Sequence, residues 1–518
     1  MIESRFVVAP PSALVERKRL FDAVGRLYDI EFVPEGTKAP RVAGRVEFGD
    51  ANRSTGTDHI PTLILVETSR APGDVFLRDV EEVPRSFRGR TIQDSAVGTL
   101  PPDVAGRSES VLAQSGSGNP VWVRLSAFRV AASAPRELEA NETLRSRFRP
   151  GRFSDILPLL EFIRRCAKSD WIAPQASASF VIDDPNLHAV RYGFVHFRNL
   201  ARHAEANDYH VSFATIPIDL WFASRRAVRI FRESPEQLSL LVHGNNHVFH
   251  ELGRTRGDRE LMALLTQALR RVDRFERRYG VPVARVMAPP HGACSHATAK
   301  VLPRSGFEAL CVSRTHPWLE AQPSDDVLAG SRPVHLVDGQ LPLLLRHHIR
   351  QGRDELAFRA FLGQPLIVYG HHDDLSSGLA ILSETAAFIR ELVPVEWLSI
   401  EQIARSRFSF RHDGSCLVVR PQTRLVDLAV SPGVDAISID LQDGNPGGAV
   451  VVTSGRESFN GPGPHPITEG RVTISVPHAS YVEASTADAV KPYSPWPMLR
   501  RALTETRDRL APIYMPRR

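Results

Sequence analysis

Cysteine is scarce in this chain: Cys166, Cys294, Cys311 and Cys416 are the four in 518 residues, and no two form a C-x-x-C pair. That excludes a disulfide scaffold and a thiolate zinc site. Lysine stands only at positions 18, 38, 168, 300 and 491, so nearly all the positive charge is arginine, and no dense basic run occurs. With a net charge of only +5, nucleic acid is not an expected partner. No uninterrupted apolar stretch reaches the roughly 20 residues of a membrane-spanning helix. The opening MIESRFVVAPPSALVERKRL lacks the basic-then-apolar order of a signal peptide. The expectation is a cytoplasmic protein with reduced thiols and no membrane span. Internal repeats and low-complexity segments are also lacking.

What is present describes a globular chain of several domains. Hydrophobic residues make up 42% and charged residues 24%, and the length exceeds what one ordinary core supports. Residues 1–150 mix short apolar runs (RFVVA, TLILVE, PVWVRL) with one helical pattern, ALVERKRLFDAVGRLY, which predicts a small α/β domain. Having no cysteine, that region cannot be a cysteine-nucleophile amidotransferase. Residues 151–407 alternate strand and helix. The strand candidates are ASFVIDD, YHVSFATIP, LSLLVHG, VARVMAPP, FEALCVS, LPLLLRHHI, PLIVYGHH and VEWLSI. The clearest helix, DRELMALLTQALRRVDRFERRYG, starts with Asp258 as N-cap and stops at Gly280. Seven or eight such units predict a closed or nearly closed parallel (β/α) barrel. Residues 408–518 change to short β-branched runs such as CLVVR, AISIDL and RVTISV, which predict an antiparallel β-sandwich. The final PMLRRALTETRDRL reads as an amphipathic helix packing back on the body.

In a parallel barrel the carboxyl ends of the strands share one rim, and chemistry collects there. Strand after strand ends in ionisable groups: Asp183 and Asp184, then His243 followed by His247, then His291, then His371, His372, Asp373 and Asp374. His243 and His247 lie four apart, so once the chain begins to wind they face one point. Two imidazoles and a carboxylate suit a divalent ion that keeps one position open. Asp184 is the third ligand in this reading, which leaves Asp183 free to take a proton from the attacking water. His250 is expected beside the centre or exposed, Asp373 and Asp374 in a loop or cap, and His347 and His348 as structural residues or substrate contacts. Trp221 and Trp318 are expected on rim loops, where an indole can stack on a sugar face.

VIDDPN, HGNNH, MAPPHG and IVYGHH resemble, in order and placement, the motifs of the NodB-type polysaccharide deacetylases, carbohydrate esterase family four. The resemblance covers about 175 to 405, and the chain reads as a divergent member. It implies a distorted (β/α) barrel, a divalent metal and hydrolysis of an N- or O-acetyl group of a carbohydrate. Zinc is the first choice, with cobalt, manganese or nickel as alternatives. Carried over residue by residue, Asp183 is the base and Asp184, His243 and His247 are the ligands. Pro290 and His291 form the turn whose backbone N–H steadies the oxyanion, and Trp318 stands in for a tryptophan near the late histidine. The proton donor is His371 or His372, with His371 preferred. The sequence departs from the family where Pro185 and Asn186 follow the aspartates and where Ala288 replaces the arginine that orients the base. Two other readings follow from these departures: a metal hydrolase of another C–N or ester bond, and a non-catalytic glycan-binding or assembly protein. The flanking regions are expected to shape a substrate groove or hold a partner chain.

Overall fold

The computed structural model describes residues 4–37, 42–49, 59–248, 250–254, 256–292, 294–313, 326–337, 341–441, 450–467, 470–476 and 496–514. The chain divides into two compact units. One comprises Met1–Asp170, Gln322–Pro333 and Gly352–Gly363; the other comprises Trp171–Ala321, Val334–Gln351 and Gln364–Arg518.

The first unit is built on a mixed nine-stranded sheet. Its strands Ile30–Pro34, Ser4–Ala9, Gly44–Phe48, Thr62–Val66 and Arg129–Ser133 run parallel, and the rest continue antiparallel. The single helix expected near the amino terminus is two, Pro11–Glu16 and Lys18–Tyr28, broken at Arg17. Val15 of the first is 77% exposed, so only part of the apolar pattern is used for packing. Helix Asp354–Phe361 belongs to this unit, and its Phe358 meets Phe87, Phe148 and Phe153 in edge-on contacts.

The second unit contains the barrel. Seven parallel strands close it: β1 (Ala176–Asp183), β2 (Val211–Thr215), β3 (Leu238–Val242), β4 (Val283–Met287), β5 (Ala309–Val312), β6 (Leu341–His348) and β7 (Leu366–Gly370). Each pairs with the next, and β7 pairs back onto β1. Among the described residues, the eighth candidate, Val395–Trp397, pairs only with the start of β1. Side chains alternate across a strand, and every second residue forms the shared core: Val181, Ala214, Leu241, Ala284, Val286, Ala288, Ala309, Cys311, Leu344 and Ile367. Many are small, as a narrow barrel requires. Helix Ile400–Arg405 adds Ile400, Ile403 and Ala404 to the same cluster. The long helix Asp258–Tyr279 has Gly257 as N-cap, not Asp258. Asp258 is its first helical residue, where a carboxylate favours the positive end of the helix.

Among the described residues, the strands from Phe408–Asp413 to Arg471–Ser475 form two four-stranded sheets around Leu417, Val419, Val426, Ile437, Val452 and Ile474. The sandwich is not wholly antiparallel, because Cys416–Pro421 and Ala436–Ile439 pair in parallel. The chain between them crosses into the other sheet as Leu425–Ala429 and so returns in the same direction. No described helix is long and apolar enough to cross a membrane.

Candidate metal centre

Continuing the inward alternation past each core residue gives the site. Asp183 follows Val181, His243 follows Leu241, Arg346 follows Leu344, and Tyr369 and His371 follow Ile367. Asp183 is 3% exposed and accepts two hydrogen bonds from the guanidinium of Arg346, at 2.7 and 2.8 Å. Arg346 is itself 1% exposed and lies 4.2 Å from the ring centroid of Tyr369. Burial raises the Asp183 carboxyl, but Arg346 above all, with His243 and His371, outweighs it and keeps the group below the usual carboxylate range. A bidentate arginine thus fixes the plane and the charge of this carboxylate. The guanidinium that holds Asp183 comes from β6, while Ala288, just past β4, is buried in the barrel core.

Asp184 turns away from the strand with φ at 79°, a conformation that costs a residue with a side chain about 1–3 kcal/mol. Its backbone N–H donates to the Ala214 carbonyl at 3.1 Å. Its Oδ1 is buried without a hydrogen-bond partner among the described residues, 3.3 Å from His247 Nε2 and 3.7 Å from His243 Nε2. His243 directs Nδ1 at the Ala288 carbonyl, 2.8 Å away, so Nδ1 carries the proton and the Nε2 lone pair faces Asp184. Burial holds His247 at about 4, so its ring is neutral at pH 7. Burial also opposes ionisation of Asp184, but the nearby His247, His243 and Arg501 together lower its carboxyl to about 2.

These groups fit a metal ion. An anionic oxygen with no donor and imidazole lone pairs aimed at it would repel one another without a cation between them. Tetrahedral zinc with bonds of about 2.0–2.1 Å separates its ligand atoms by about 3.3–3.4 Å, close to the separations found here. A second cluster, His348, His371 and Asp374, is also within ligand distance. There the Asp374 carboxylate already accepts from Arg350 and from the His371 backbone N–H, so its geometry is that of a cap.

The approach of His243 and His247 is not helical. The chain from 243 to 248 is an irregular loop with positive φ at Gly244 (65°) and His247 (55°). The cause is Glu251, a residue that sequence reasoning passed over. Its carboxylate, 1% exposed, accepts the backbone N–H groups of Asn245 (2.9 Å), Asn246 (2.8 Å) and His247 (3.1 Å). Arg271 clamps the same loop through the side-chain oxygens of Asn245 and Asn246, at 2.6 and 2.8 Å. Gly244 has no substitute, because a Cβ there would lie 2.8 Å from both Glu251 Oε2 and Pro290 Cγ.

The late histidines separate by face. His371 lies close enough to Asp183 and Asp184 to act on both carboxyls, and its ring accepts the Asp374 backbone N–H. His372, which is buried, has other neighbours. Its ring packs 5.5 Å from Tyr192 and 6.0 Å from Phe194, with Nε2 3.8 Å from Asp508. His291 sits 5.8 Å from His247 and 5.2 Å from His250, ring to ring, on a turn with φ 65°. Pro290 has no N–H, so the donor expected of that turn belongs to His291 or beyond. Trp221 is 59% exposed and 5.5 Å from His188, whereas Trp318 lies outside the described residues. His347 is buried, and His348 stands edge-on to Tyr369 at 5.0 Å.

The helix Trp496–Tyr514 docks with its polar face, not its apolar one. Arg501 and Asp508 are buried, while Trp496, Leu499 and Leu503 are more than half exposed. The barrel mouth supplies the reason, since it offers complementary charges in a row. Arg501 meets Asp219 at 2.7 Å, Glu505 meets His188 at 3.0 Å, and Asp508 accepts from Tyr192 at 2.8 Å. Burial opposes Glu505's charge, but His188 and Arg509 bring its carboxyl to about 2. Positions 501, 505 and 508 share one helical face.

A closed parallel barrel with a carboxylate and two imidazoles converging at its carboxyl-end rim defines the class: an α/β barrel with a candidate metal centre. No family model matches the chain, and no curated protein matches it. Among solved structures it is similar to a family 4 carbohydrate esterase from Streptomyces lividans in complex with acetate, at 9% identity and TM-score 0.26, over 43% of this chain and 93% of that one. It is similar to a CE4 esterase from Streptococcus mutans at 14% identity and TM-score 0.27, over 43% and 87%. A lactam utilization protein from Thermus thermophilus has 13% identity and TM-score 0.25, over 44% and 99%.

Proposed function

We propose that the barrel is a metal-dependent hydrolase that removes an acyl group, acetyl foremost, from an amino sugar or related glycan. Asp184, His243 and His247 hold the ion, zinc before cobalt, manganese or nickel. When bound, such an ion polarises the acyl carbonyl and eases deprotonation of the attacking water. Asp183, ionised and fixed in plane by Arg346, takes that proton. The backbone of the 289–292 turn faces the developing oxyanion. His371 returns a proton to the leaving amine or alkoxide from the ring nitrogen not engaged by Asp374. The carbohydrate class rests on the four motifs, and Trp221 offers a face on which a sugar can stack. The observation that carries the reading is the buried Asp184 Oδ1, without a hydrogen-bond partner among the described residues and 3.3 and 3.7 Å from two Nε2 atoms.

The test is acetate release from a panel of N- and O-acetylated sugars, before and after chelation. Turnover should vanish with chelator and return with zinc or cobalt. Release unaffected by chelation would overturn the proposal. A second reading, hydrolysis of another C–N or ester bond, is favoured by Pro185 and the fully buried Asn186 after Asp184. It predicts no acetate from the panel and metal-dependent turnover of a different amide.

The two late histidines give a separate prediction. His371→Ala should lower kcat by about 10²- to 10⁴-fold, the usual contribution of a general acid, with zinc content unchanged. His372→Ala should act mainly on thermal stability. Equal losses of kcat in both variants would contradict the assignment.

A further inference from the structure

Two of the residues proposed to bind the ion, Asp184 and His247, carry left-handed backbones, with φ at 79° and 55°. Residues with side chains avoid that region, and they stay in it only where the surroundings fix the adjoining peptide groups. Both carbonyls are fixed from one place. Arg501 Nη2 donates to the Asp184 carbonyl at 2.8 Å, and Arg500 Nη1 donates to the His247 carbonyl at 3.1 Å. The two arginines are consecutive, and they reach the site from 317 and 253 residues further along the chain.

Arg501 is not free to swing. It is 5% exposed, and its Nε donates to the buried Asp219 at 2.7 Å. The helix that carries it is docked by separate contacts: Glu505 with His188, Asp508 with Tyr192, and Arg509 with the Asn186 side chain at 2.7 Å. Arg501 thus serves both docking and clamping, whereas Glu505, Asp508 and Arg509 dock the helix without touching either carbonyl and can be substituted separately.

We infer that Arg500 and Arg501 are positioning residues of the metal centre: the C-terminal helix holds the carbonyls of Asp184 and His247, and so keeps both side chains on one point. This rests on the metal-binding reading proposed above. Coupling of this kind is reciprocal, so zinc should also tighten the helix onto the barrel.

The experiment measures zinc affinity of the full chain by competition with a chromophoric chelator, beside melting temperature. Arg501→Gln should weaken zinc binding by about tenfold or more, the usual loss when a group supporting a ligand is removed. Arg501→Lys, which keeps the charge and one donor, should recover part of it. Arg509→Gln should lower the melting temperature yet leave zinc affinity within about threefold, because it touches neither carbonyl. Should Arg501→Gln fail to fold after losing its pair with Asp219, Arg500→Gln breaks no ion pair among the described residues, and it should still weaken zinc measurably. Unchanged affinity in the arginine variants, or an equal loss in Arg509→Gln, would overturn the inference. Wild type that binds no zinc would instead remove the reading beneath it.

Discussion

Replacing Arg346 with methionine should cost the protein about 3–5 kcal/mol, the penalty for leaving one charge of a buried pair without its partner. The pair is among the most enclosed in the barrel, at 1% and 4% side-chain exposure for Arg346 and Asp183. Against a typical total stability of about 5–15 kcal/mol, that is a large fraction. The variant should also lose turnover, since Asp183 would no longer be held in plane or kept ionised. The double replacement Asp183→Leu with Arg346→Met separates these effects. Removing both charges commonly restores or exceeds the original stability, so denaturant unfolding should show recovery while turnover stays absent. A double variant as unstable as the single one would mean that packing against Tyr369, not the ion pair, dominates at this place.

The second large effect belongs to Glu251. Its two oxygens accept three backbone N–H groups of the loop that carries His247, and no water reaches them at 1% exposure. Glu251→Gln puts an amide donor where donors already converge, so at least one N–H loses its acceptor at a cost of about 1–3 kcal/mol. The loop then has less reason to keep His247 at positive φ. Zinc affinity should fall by about 10- to 100-fold, the range found when groups supporting a metal ligand are removed. Secondary structure should persist in circular dichroism, because the strands close without this carboxylate. Unchanged affinity would show that Arg271 and Arg500 hold the His243–His247 loop without this carboxylate.

Sequence reasoning reached the barrel because its signal is local. Each strand is a short apolar run, several end in ionisable residues, and only parallel closure brings those ends together. The inward placement of His371 over His372 was also accessible in principle, since alternation from Ile367 through Tyr369 leads to it. Arg346 carried a similar signal, an arginine at an inward position of the otherwise apolar LPLLLR, but it was masked by the abundance of arginine elsewhere. Glu251 gave less, because nothing in HGNNHVFHE says that a buried acid will gather three N–H groups. Arg500 and Arg501 gave nothing. Their partners lie hundreds of residues away, and the apolar stripe of Trp496, Leu499 and Leu503 points the usual reading of an amphipathic helix to the wrong face.

The most direct measurement is the zinc content of purified wild type beside Asp184→Ala and His247→Ala, each checked for folding. Stoichiometric zinc is expected in the wild type and little in either variant. Wild-type levels of zinc in both variants would contradict the assignment of Asp184 and His247 as ligands.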